Sequence, residues 1–446
     1  MNLEFNAYKN LRGFLRAKRI KKIKAENLDV PDLSRLLTYF RGLTTMFQLI
    51  DFITKNPVSP KGLVFTGENS PWEVKLDMNM IAENINIELF KQTPPGFTKY
   101  LPLIPVKIDV ALRSFIDQAT PLIKSRVLGK RLGLDLYFKV DFKNPTGSFK
   151  DRGSAVEVAV AKKFKASSII LASTGNMAAS CACYAALAKI PCFVLVPENV
   201  SIAKLAQVIA YGGHIVQIKG NYNEAAQLAK LLAENMSFYL AGDYAYRVEG
   251  QKTAAFEIID QLQFQIPEVV VIPMGCGTNL SAYAKGFREY YSLGLIDKIP
   301  QLIGVQAEGA AAIVESFKQH RNTIQPLNSI QTIASAICVS DPIDGVKALE
   351  AIYATNGCAV AVSDEEILQA QYLLSTEEGL FVETASAATF AALIKSNDLQ
   401  QKKVVCVLTG DGLKDSASAL NNVSQLPVIE PSEKEFIKLY ESNYFT

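Results

Sequence analysis

The segment Asn144-Pro-Thr-Gly-Ser-Phe-Lys-Asp-Arg-Gly153 places a lysine, Lys150, between two patterns of different periodicity. The apolar run at 136–140 before it predicts a buried β-strand, and residues 151–163 after it predict an α-helix. The proline and the first glycine of the segment favour a turn between these two elements. The sequence therefore predicts a strand–turn–helix unit of an α/β fold, with Lys150 where the helix begins.

Lys150 is a candidate nucleophile because of where this turn holds it. A lysine in an enclosed pocket loses hydration, which favours the neutral amine that can form an imine with an aldehyde. The alternative is an ordinary solvated lysine on the protein surface. Three further turns downstream, at 173–176, 275–279 and 409–415, favour the nucleophile, because each is a polar, glycine-containing turn that follows a strand pattern.

The first of these turns is Ser173-Thr-Gly-Asn176, which follows the apolar run 169–172 and precedes a predicted helix at 178–188. The first N–H groups of a helix have no partner within the helix, and the helix dipole favours negative charge there. Ser173, Thr174 and the neighbouring backbone are therefore candidates to bind a carboxylate or a phosphate.

The second and third turns follow two more buried strand patterns. The apolar run 269–273 leads into Gly275-Cys-Gly-Thr-Asn279 and a predicted helix at 281–291, and glycines let the backbone approach an anion closely. Leu280 stands where a dinucleotide fingerprint needs its third glycine, so this is a different kind of loop. The third run, 404–409, continues into a Gly-Asp-Gly-Leu-Lys-Asp turn. Each turn alone is common in α/β proteins.

Taken together, these turns resemble the fold type II pyridoxal-phosphate enzymes, and among them most closely the threonine synthase family. The resemblance spans residues 120–415. It includes the segment 246–257, Tyr-Arg-Val-Glu-Gly-Gln-Lys-Thr-Ala-Ala-Phe-Glu, and the segment 378–383, Glu-Gly-Leu-Phe-Val-Glu. Coincidence is a negligible explanation for ordered motifs at this spacing. The resemblance implies pyridoxal 5′-phosphate as the cofactor.

The family resemblance also implies an α/β architecture of two doubly wound open-sheet domains, with the cofactor in the cleft between them. Residues 151–241 would form the smaller domain, and residues 96–150 and 242–446 would form the large cofactor-binding domain. We interpret residues 1–95 as a mainly helical N-terminal extension. Its basic stretch 9–24 is typical of a solvated helix face, with a nucleic-acid or targeting role as the alternative.

Roles for individual residues follow from the same resemblance. Lys150 would hold the cofactor as an imine and move protons at Cα and beyond, and Asn176 would hydrogen-bond the phenolic oxygen. Thr409 would face the pyridine nitrogen, where a neutral hydroxyl leaves the ring a weaker electron sink and favours elimination and replacement. The cofactor phosphate would lie in the glycine-rich loop formed by Gly275, Cys276, Gly277, Thr278 and Asn279.

The reaction implied for the substrate converts O-phospho-L-homoserine and water to L-threonine and phosphate, by γ-elimination followed by addition of water at Cβ. Ser173 and Thr174 would bind the α-carboxylate of this amino acid. Arg247 would bind the leaving phosphate, for which a planar guanidinium is suited. The alternative for Arg247 is a structural ion pair, for example with Glu249.

The chain departs from the family pattern around the expected phosphate pocket. Family members often carry Asn-Ser six and five residues before the arginine, whereas this chain has Ala241 and Gly242, followed by the acidic Asp243. The other departures are Met177, Cys276 and Asp411. Three alternative functions therefore stay open: a β-replacement enzyme similar to cysteate synthase, a threonine or serine dehydratase, and a catalytically idle binding or regulatory relative.

Composition fits a large enzyme and disfavours several other classes. The 446 residues are 49% hydrophobic, enough for a sizeable core, and a net charge of +2 gives no reason to expect nucleic-acid or membrane partners. Because no apolar run could span a bilayer and the first residues lack a signal-peptide core, we expect a cytoplasmic protein. The seven cysteines and two histidines show no spacing for a metal site, disulfide framework or catalytic triad. We expect a homodimer that acts on a small amino acid.

Overall fold

The strand and helix patterns of the sequence are present in the computed structural model, which describes residues 47–68, 70–200, 205–396, 398–416 and 427–442. All four strand runs named above are found within one residue of the predicted ends. The basic stretch 9–24 lies outside the described residues, as does the rest of residues 1–46. The described residues belong to one compact unit.

The strands of the described residues are, in chain order, β1 (Phe47–Asp51), β2 (Trp72–Leu76), β3 (Leu122–Lys124), β4 (Asp135–Val140), β5 (Ser168–Ala172), β6 (Cys192–Pro197), β7 (His214–Ile218), β8 (Phe238–Leu240), β9 (Val269–Pro273), β10 (Gln301–Ala307), β11 (Cys358–Val362) and β12 (Lys403–Leu408).

The α-helices of the described residues are α1 (Met78–Asn84), α2 (Ile87–Gln92), α3 (Val110–Arg113), α4 (Leu128–Leu132), α5 (Lys150–Lys163), α6 (Asn176–Ala188), α7 (Ala206–Ala210), α8 (Tyr222–Asn235), α9 (Ala245–Gln251), α10 (Thr253–Gln261), α11 (Thr278–Ser292), α12 (Ala312–Lys318), α13 (Gly345–Ala354), α14 (Asp364–Leu373), α15 (Thr384–Lys395) and α16 (Glu433–Glu441).

Two sheets carry the parallel strands. The larger has the order β11-β10-β9-β12-β4-β3, with all pairs parallel except the antiparallel edge strand β3, and the smaller has the all-parallel order β7-β6-β5-β8. Strands β5 and β9 are buried along their whole length. A parallel strand that is covered by helices on both faces must be apolar throughout, which is why these runs lack the alternation of a half-exposed strand. The predicted α/β architecture of two open sheets is confirmed.

The topology brings the predicted functional turns together. Strands β5, β9 and β12 each lead into one of these turns, and β4 leads into the turn of Lys150 through a short 3-10 helix, Asp141–Lys143. Ligands of open α/β sheets bind at the carboxyl ends of the strands, so both sheets contribute loops to one region. The whole of the smaller sheet lies between residues 168 and 240, inside the predicted smaller domain 151–241. The domain boundaries themselves stay a prediction.

The segment 246–257 of the family resemblance lies in two helices, α9 and α10, which meet at Lys252. The structure differs from the predicted elements in the N-terminal extension. The described part of the predicted helical extension, 47–95, contains the antiparallel pair β1–β2 as well as the short helices α1 and α2. The two strands are separated by twenty residues, and that long separation hides a hairpin from the sequence pattern.

Candidate active site

Lys150 is the first residue of α5, and its side chain is only 16% exposed. Its Nζ donates a hydrogen bond to Oδ1 of Asp243 at 2.8 Å and lies 5.0 Å from the centre of the Phe149 ring. The amine is therefore held between a carboxylate and an aromatic face, in a position that water reaches only in part.

The turn before Lys150 is fixed against the turn that follows β12. The Phe149 N–H donates to the Thr409 carbonyl oxygen at 2.9 Å. Asp151 supports the same turn from within α5, because its carboxylate accepts hydrogen bonds from the N–H and the hydroxyl of Thr146, at 2.7 and 2.6 Å. The main chain thus holds Lys150 and Thr409 next to each other, although they are far apart in sequence.

A buried ion-pair network anchors the first turn of α5 to the larger sheet. Arg152 donates to Oδ1 of Asp141 at 2.7 Å and to Oε1 of Glu257 at 2.6 Å, and Lys139 of β4 donates to Oε2 of Glu257 at 2.6 Å. Burial opposes the ionisation of Glu257, but Arg152 and Lys139 lower its pKa to about 2. Removing any one partner would leave an uncompensated buried charge, so the network fixes where α5 begins.

The glycine-rich loop between β9 and α11 has the features of an anion site. Gly277 has φ +85°, and a Cβ there would lie 2.8 Å from the Asp344 carbonyl oxygen, so residue 277 must be glycine. The Asp344 N–H in turn donates to the Cys276 carbonyl at 2.9 Å. Both polar atoms of the Asn279 side chain are buried and have no hydrogen-bond partner among the described residues. No side chain of the described residues caps the start of α11. A bound anion with acceptor oxygens can satisfy such donors.

Thr409 follows β12 and is held by Ser386 of α15. The Ser386 Oγ lies 3.0 Å from the Thr409 Oγ1 and accepts hydrogen bonds from the N–H groups of Thr409 and Gly410, at 2.9 and 2.8 Å. Thr409 is only 5% exposed. Ser386 is a site residue for which the sequence predicts no role. Its position near a helix start, just after the segment 378–383, is the sequence feature that could have indicated it.

Asn176 contacts the carboxylate of Glu383, the last residue of the segment 378–383, for which the sequence predicts no role. Its side-chain Nδ2 donates to both oxygens of Glu383, at 3.0 and 2.8 Å. A Cβ at Gly410 would lie 1.8 Å from Oε2 of Glu383, so only glycine fits beside this carboxylate. Burial raises the pKa of Glu383 to about 7, although the hydrogen bond from Asn176 opposes that rise. Glu383 therefore belongs to the site together with Asn176.

Ser173 and Thr174 lie half-buried in the loop between β5 and α6. The Ser173 Oγ accepts a hydrogen bond from the Gly175 N–H at 3.3 Å, and among the described residues no side chain caps the start of α6. This loop thus keeps free backbone donors at the start of α6, where Asn176 lies.

Metal chemistry has no support in the part of the chain that the structure describes. It holds no cluster of three or more histidine, cysteine, aspartate or glutamate side chains that could bind a metal ion. All seven cysteines are free. The described residues also contain no helix that is long and apolar enough to cross a membrane.

Comparison with known proteins agrees with this arrangement of turns. The sequence profile of the family described as pyridoxal-phosphate dependent enzyme matches residues 114–410. A threonine synthase of Methanocaldococcus jannaschii is 42% identical over 363 residues, which are 80% of this chain and 89% of that protein. The chain belongs to the threonine synthase family of pyridoxal-phosphate dependent enzymes.

Other relatives of this family extend the agreement. A threonine synthase of Mycobacterium bovis is 42% identical over 345 residues, 75% of this chain and 93% of that protein. Among solved structures, maize serine racemase has a TM-score of 0.59 and 21% identity, and covers 69% of this chain and 94% of its own. A threonine deaminase of Solanum lycopersicum has a TM-score of 0.61 and 21% identity, over 82% and 99%. These two structures show that the fold is shared.

The residues present fit the cofactor of the threonine synthase family. Lys150 supplies an enclosed amine, Asn279 supplies a buried amide that has no partner among the described residues, and Thr409 supplies a neutral hydroxyl. Gly277 leaves no room for a side chain in the loop beside them. The chain is thus a pyridoxal-phosphate dependent lyase by family, and its own loops have the donors that such a cofactor needs.

Arg247 is the predicted residue whose surroundings differ most from the expectation. Its guanidinium is fully buried, pairs with Glu157, and donates to the Gly242 carbonyl at 2.8 Å and the Lys150 carbonyl at 3.3 Å. The ion-pair partner is Glu157, whereas Glu249 pairs with lysines. Protein groups therefore occupy the donors with which Arg247 would bind a phosphate.

Proposed function

We propose that the chain converts O-phospho-L-homoserine and water to L-threonine and inorganic phosphate. The observation that carries this proposal is the position of Lys150, whose amine lies in an enclosed cleft and whose turn is bonded to that of Thr409. The membership of the threonine synthase family supports the reaction class, and the four turns with the candidate cofactor-binding residues are present in the sequence.

Each proposed residue has a distinct task in this reaction. When bound, pyridoxal phosphate supplies an aldehyde that condenses with an amine and a ring that withdraws electron density from Cα. Lys150 would hold the cofactor and then move protons between carbon atoms of the substrate, for which a flexible amine at one end of a helix is suited. The loop of Ser173 and Thr174 would orient the α-carboxylate through its free donors.

The remaining proposed contacts serve the cofactor. Gly275, Cys276, Gly277, Thr278 and Asn279 would bind its phosphate group. Asn176 would face its phenolic oxygen, with the orientation of the amide set by Glu383. Thr409 would face the pyridine nitrogen with a hydroxyl that Ser386 holds in place. A neutral partner there keeps the ring a moderate electron sink, which suits elimination followed by addition.

The guanidinium of Arg247 already has partners within the protein. The leaving phosphate can bind Arg247 only if it replaces the contacts that Arg247 makes with Glu157 and the Gly242 carbonyl. The carboxylate of Asp243 lies in the same turn and repels a phosphate group. This observation favours a second candidate function, in which a related β-replacement or elimination enzyme acts on another amino acid.

One assay separates the two candidates. The purified enzyme, saturated with pyridoxal phosphate, is incubated with O-phospho-L-homoserine, and phosphate release and threonine formation are measured together. We expect equal amounts of both products. Absence of turnover by protein that has bound its cofactor would contradict threonine synthesis, and O-phosphoserine and other β-substituted amino acids would then be tested. Turnover of serine or threonine to ammonia and a keto acid would identify a dehydratase.

We further propose that the enzyme acts in the cytoplasm as a homodimer with no nucleic-acid or membrane partner. The seven free cysteines support a reducing compartment, since secreted proteins of this size use disulfides more often. Light scattering on the purified protein measures the mass directly. A mass of twice 48.8 kDa is the expected result, and a monomer would contradict it.

A further inference from the structure

We propose that Asp243 is a positioning residue for Lys150: it is the buried counter-ion that stabilises the charged form of the Lys150 nitrogen and holds that nitrogen in place between proton transfers. The inference deepens the proposed function, because it concerns the same site, but it needs only that the cofactor binds. Asp243 is one of the departures from the family pattern, so the family does not supply this role.

Asp243 and Lys150 form a direct ion pair. Oδ1 of Asp243 lies 2.8 Å from Nζ of Lys150, and the two side chains are 10% and 16% exposed. An ion pair this enclosed is weakly screened by solvent, so each charge depends strongly on the other. Burial opposes the ionisation of Asp243, but Lys150 and then Arg247 bring its pKa below the ordinary value. The carboxylate is therefore negative at neutral pH.

Two hydrogen bonds anchor the turn that carries Asp243. The Gly242 N–H donates to Oε1 of Glu157 at 3.1 Å, and the Gly242 carbonyl accepts from Nε of Arg247 at 2.8 Å. Glu157 and Arg247 are themselves paired and fully buried. A backbone held on both sides in this way fixes the place of the next Cα atom, so only the side chain of Asp243 has to be ordered for its carboxylate to meet Lys150.

Asp243 also acts on the glycine-rich loop through its charge. Burial, and then the negative charge of Asp243, raise the pKa of the Cys276 thiol well above its usual range. The thiol therefore keeps its proton beside the carboxylate. The charge of Asp243 is thus felt both by Lys150 and by a residue of the proposed phosphate site.

The surroundings of Asp243 show why Lys150 is its main partner. Besides Lys150, the titratable or charged groups that face it are Glu157, Tyr222, Tyr244, Arg247, Cys276 and Asp344. Glu157 occupies the guanidinium of Arg247, and the tyrosines and the thiol are neutral because burial raises the pKa of each. The positive charge that Asp243 needs nearby therefore comes from the Lys150 nitrogen, whether that nitrogen is free or joined to the cofactor.

The test follows the charge on this nitrogen in the intact holoenzyme. The absorbance of bound pyridoxal phosphate changes when the nitrogen that joins it to a lysine loses its proton. The midpoint of that change with pH is measured for the wild-type enzyme, for Asp243→Asn and Asp243→Glu, and for Asp411→Asn. Asp411 is the control, because its carboxylate lies in the same cleft but accepts a hydrogen bond from the Leu413 N–H.

We expect Asp243→Asn to lower the midpoint by about one pH unit or more, since a carboxylate in contact with a cation stabilises the charged form by that order. Asp243→Glu should recover most of the shift, and Asp411→Asn should leave the midpoint within about 0.3 units of the wild type, because the ion-pair partner of Lys150 among the described residues is Asp243 and not Asp411. Turnover should fall in kcat more than it changes in KM, because Asp243 acts on the lysine.

An Asp243→Asn enzyme with the wild-type midpoint would overturn the proposal. If this variant binds no cofactor while Asp243→Glu still does, a charge at residue 243 is required and the proposal stands. If neither variant binds cofactor, the site needs the shape of aspartate and not its charge, which overturns the proposal. Failure of threonine synthesis by the wild-type enzyme would leave the midpoint test intact, so the proposed function and this inference are tested separately.

Discussion

Asn176 and Glu383 join the two sides of the cleft, with the Asn176 amide nitrogen within 3.0 Å of both carboxylate oxygens of Glu383. Asn176 begins α6, the helix that follows strand β5 of the smaller sheet. Glu383 directly precedes α15, which packs on the larger sheet. A carboxylate with two acceptor oxygens fixes the direction in which the amide presents its donors. The contact therefore sets the geometry of the cofactor site before any ligand is bound.

The raised pKa of Glu383 predicts a dependence of stability on pH. Burial raises this pKa to about 7, whereas the ordinary pKa of an exposed glutamate is 4.5. Between these values the folded protein binds more protons than the unfolded chain, so the free energy of unfolding falls as pH rises from about 4.5 to 7. The loss attributable to Glu383 is at most about 3 kcal/mol.

Glu383→Gln should remove this part of the pH dependence. Urea unfolding at about pH 5 and about pH 8 measures it, and the difference between the two free energies should be smaller in the variant than in the wild type. Glu365→Gln, which changes an exposed glutamate of α14, serves as the control and should keep the wild-type difference. An equal pH difference in all three proteins would show that Glu383 ionises normally.

The surroundings of Arg247 predict that its loss destabilises the fold. Burial already raises the pKa of Glu157 to about 7, so Arg247→Ala would leave this carboxyl group buried without its cation and force it to take up a proton or stay as an unpaired charge. Breaking a buried ion pair in this way costs up to about 3–5 kcal/mol. The double variant Arg247→Met with Glu157→Met removes both charges, and we expect it to be more stable than Arg247→Ala. Urea unfolding of the three proteins gives the free energies directly.

The alternative role of Arg247 makes the opposite prediction. If this side chain binds the leaving phosphate and contributes little to folding, Arg247→Ala would keep the wild-type free energy of unfolding. Its KM for O-phospho-L-homoserine would then rise by roughly one to two orders of magnitude, as for the loss of a charged hydrogen bond. A stable variant with a raised KM would therefore contradict the structural role.

Asn279 should affect the free protein and the cofactor complex in opposite ways. Its buried amide lacks a partner among the described residues, and replacing such a group by an apolar one of similar shape is nearly neutral or stabilising. We expect Asn279→Leu to unfold at the same or a higher urea concentration when the cofactor is absent. Its affinity for pyridoxal phosphate should fall about tenfold or more, because a hydrogen bond to an anion is lost.

A matched control for this prediction is Asn223→Leu, which makes the same change at an exposed position of α8. Titration of cofactor-free protein with pyridoxal phosphate, followed by absorbance, measures the affinity of each variant. Wild-type affinity in Asn279→Leu would show that the amide does not contact the cofactor. A large loss of stability in the cofactor-free variant would show that Asn279 has a partner within the protein.

The turns of the site were predictable from the sequence because each depends on local signals. Apolar runs of about five residues marked β4, β5, β9 and β12, and small polar residues after each run marked the loops of Lys150, Asn176, Asn279 and Thr409. The physical reason is that a parallel strand buried on both faces must be apolar, and its turn must be polar or flexible. The family resemblance then connected turns that spacing alone could not.

The pairing of side chains across the site was not predictable in the same way. Lys150 and Asp243 are 93 residues apart, Arg247 and Glu157 are 90 apart, and Asn176 and Glu383 are 207 apart. A carboxylate in the sequence does not indicate which cation it will meet, because that depends on how two sheets are placed. For this reason the sequence marks Asp243 only as an acidic departure from the family pattern, and its pairing with Lys150 is found only in the structure.

We propose that Lys150 is the lysine that bears the cofactor, and this can be tested directly. Reduction of the holoenzyme with borohydride fixes pyridoxal phosphate to its lysine, and peptide mass spectrometry then locates the added mass. We predict that the modified residue is Lys150 and that Lys150→Ala yields no modified peptide. Modification of another lysine of the cleft, such as the half-buried Lys414, in the wild-type enzyme would contradict the account.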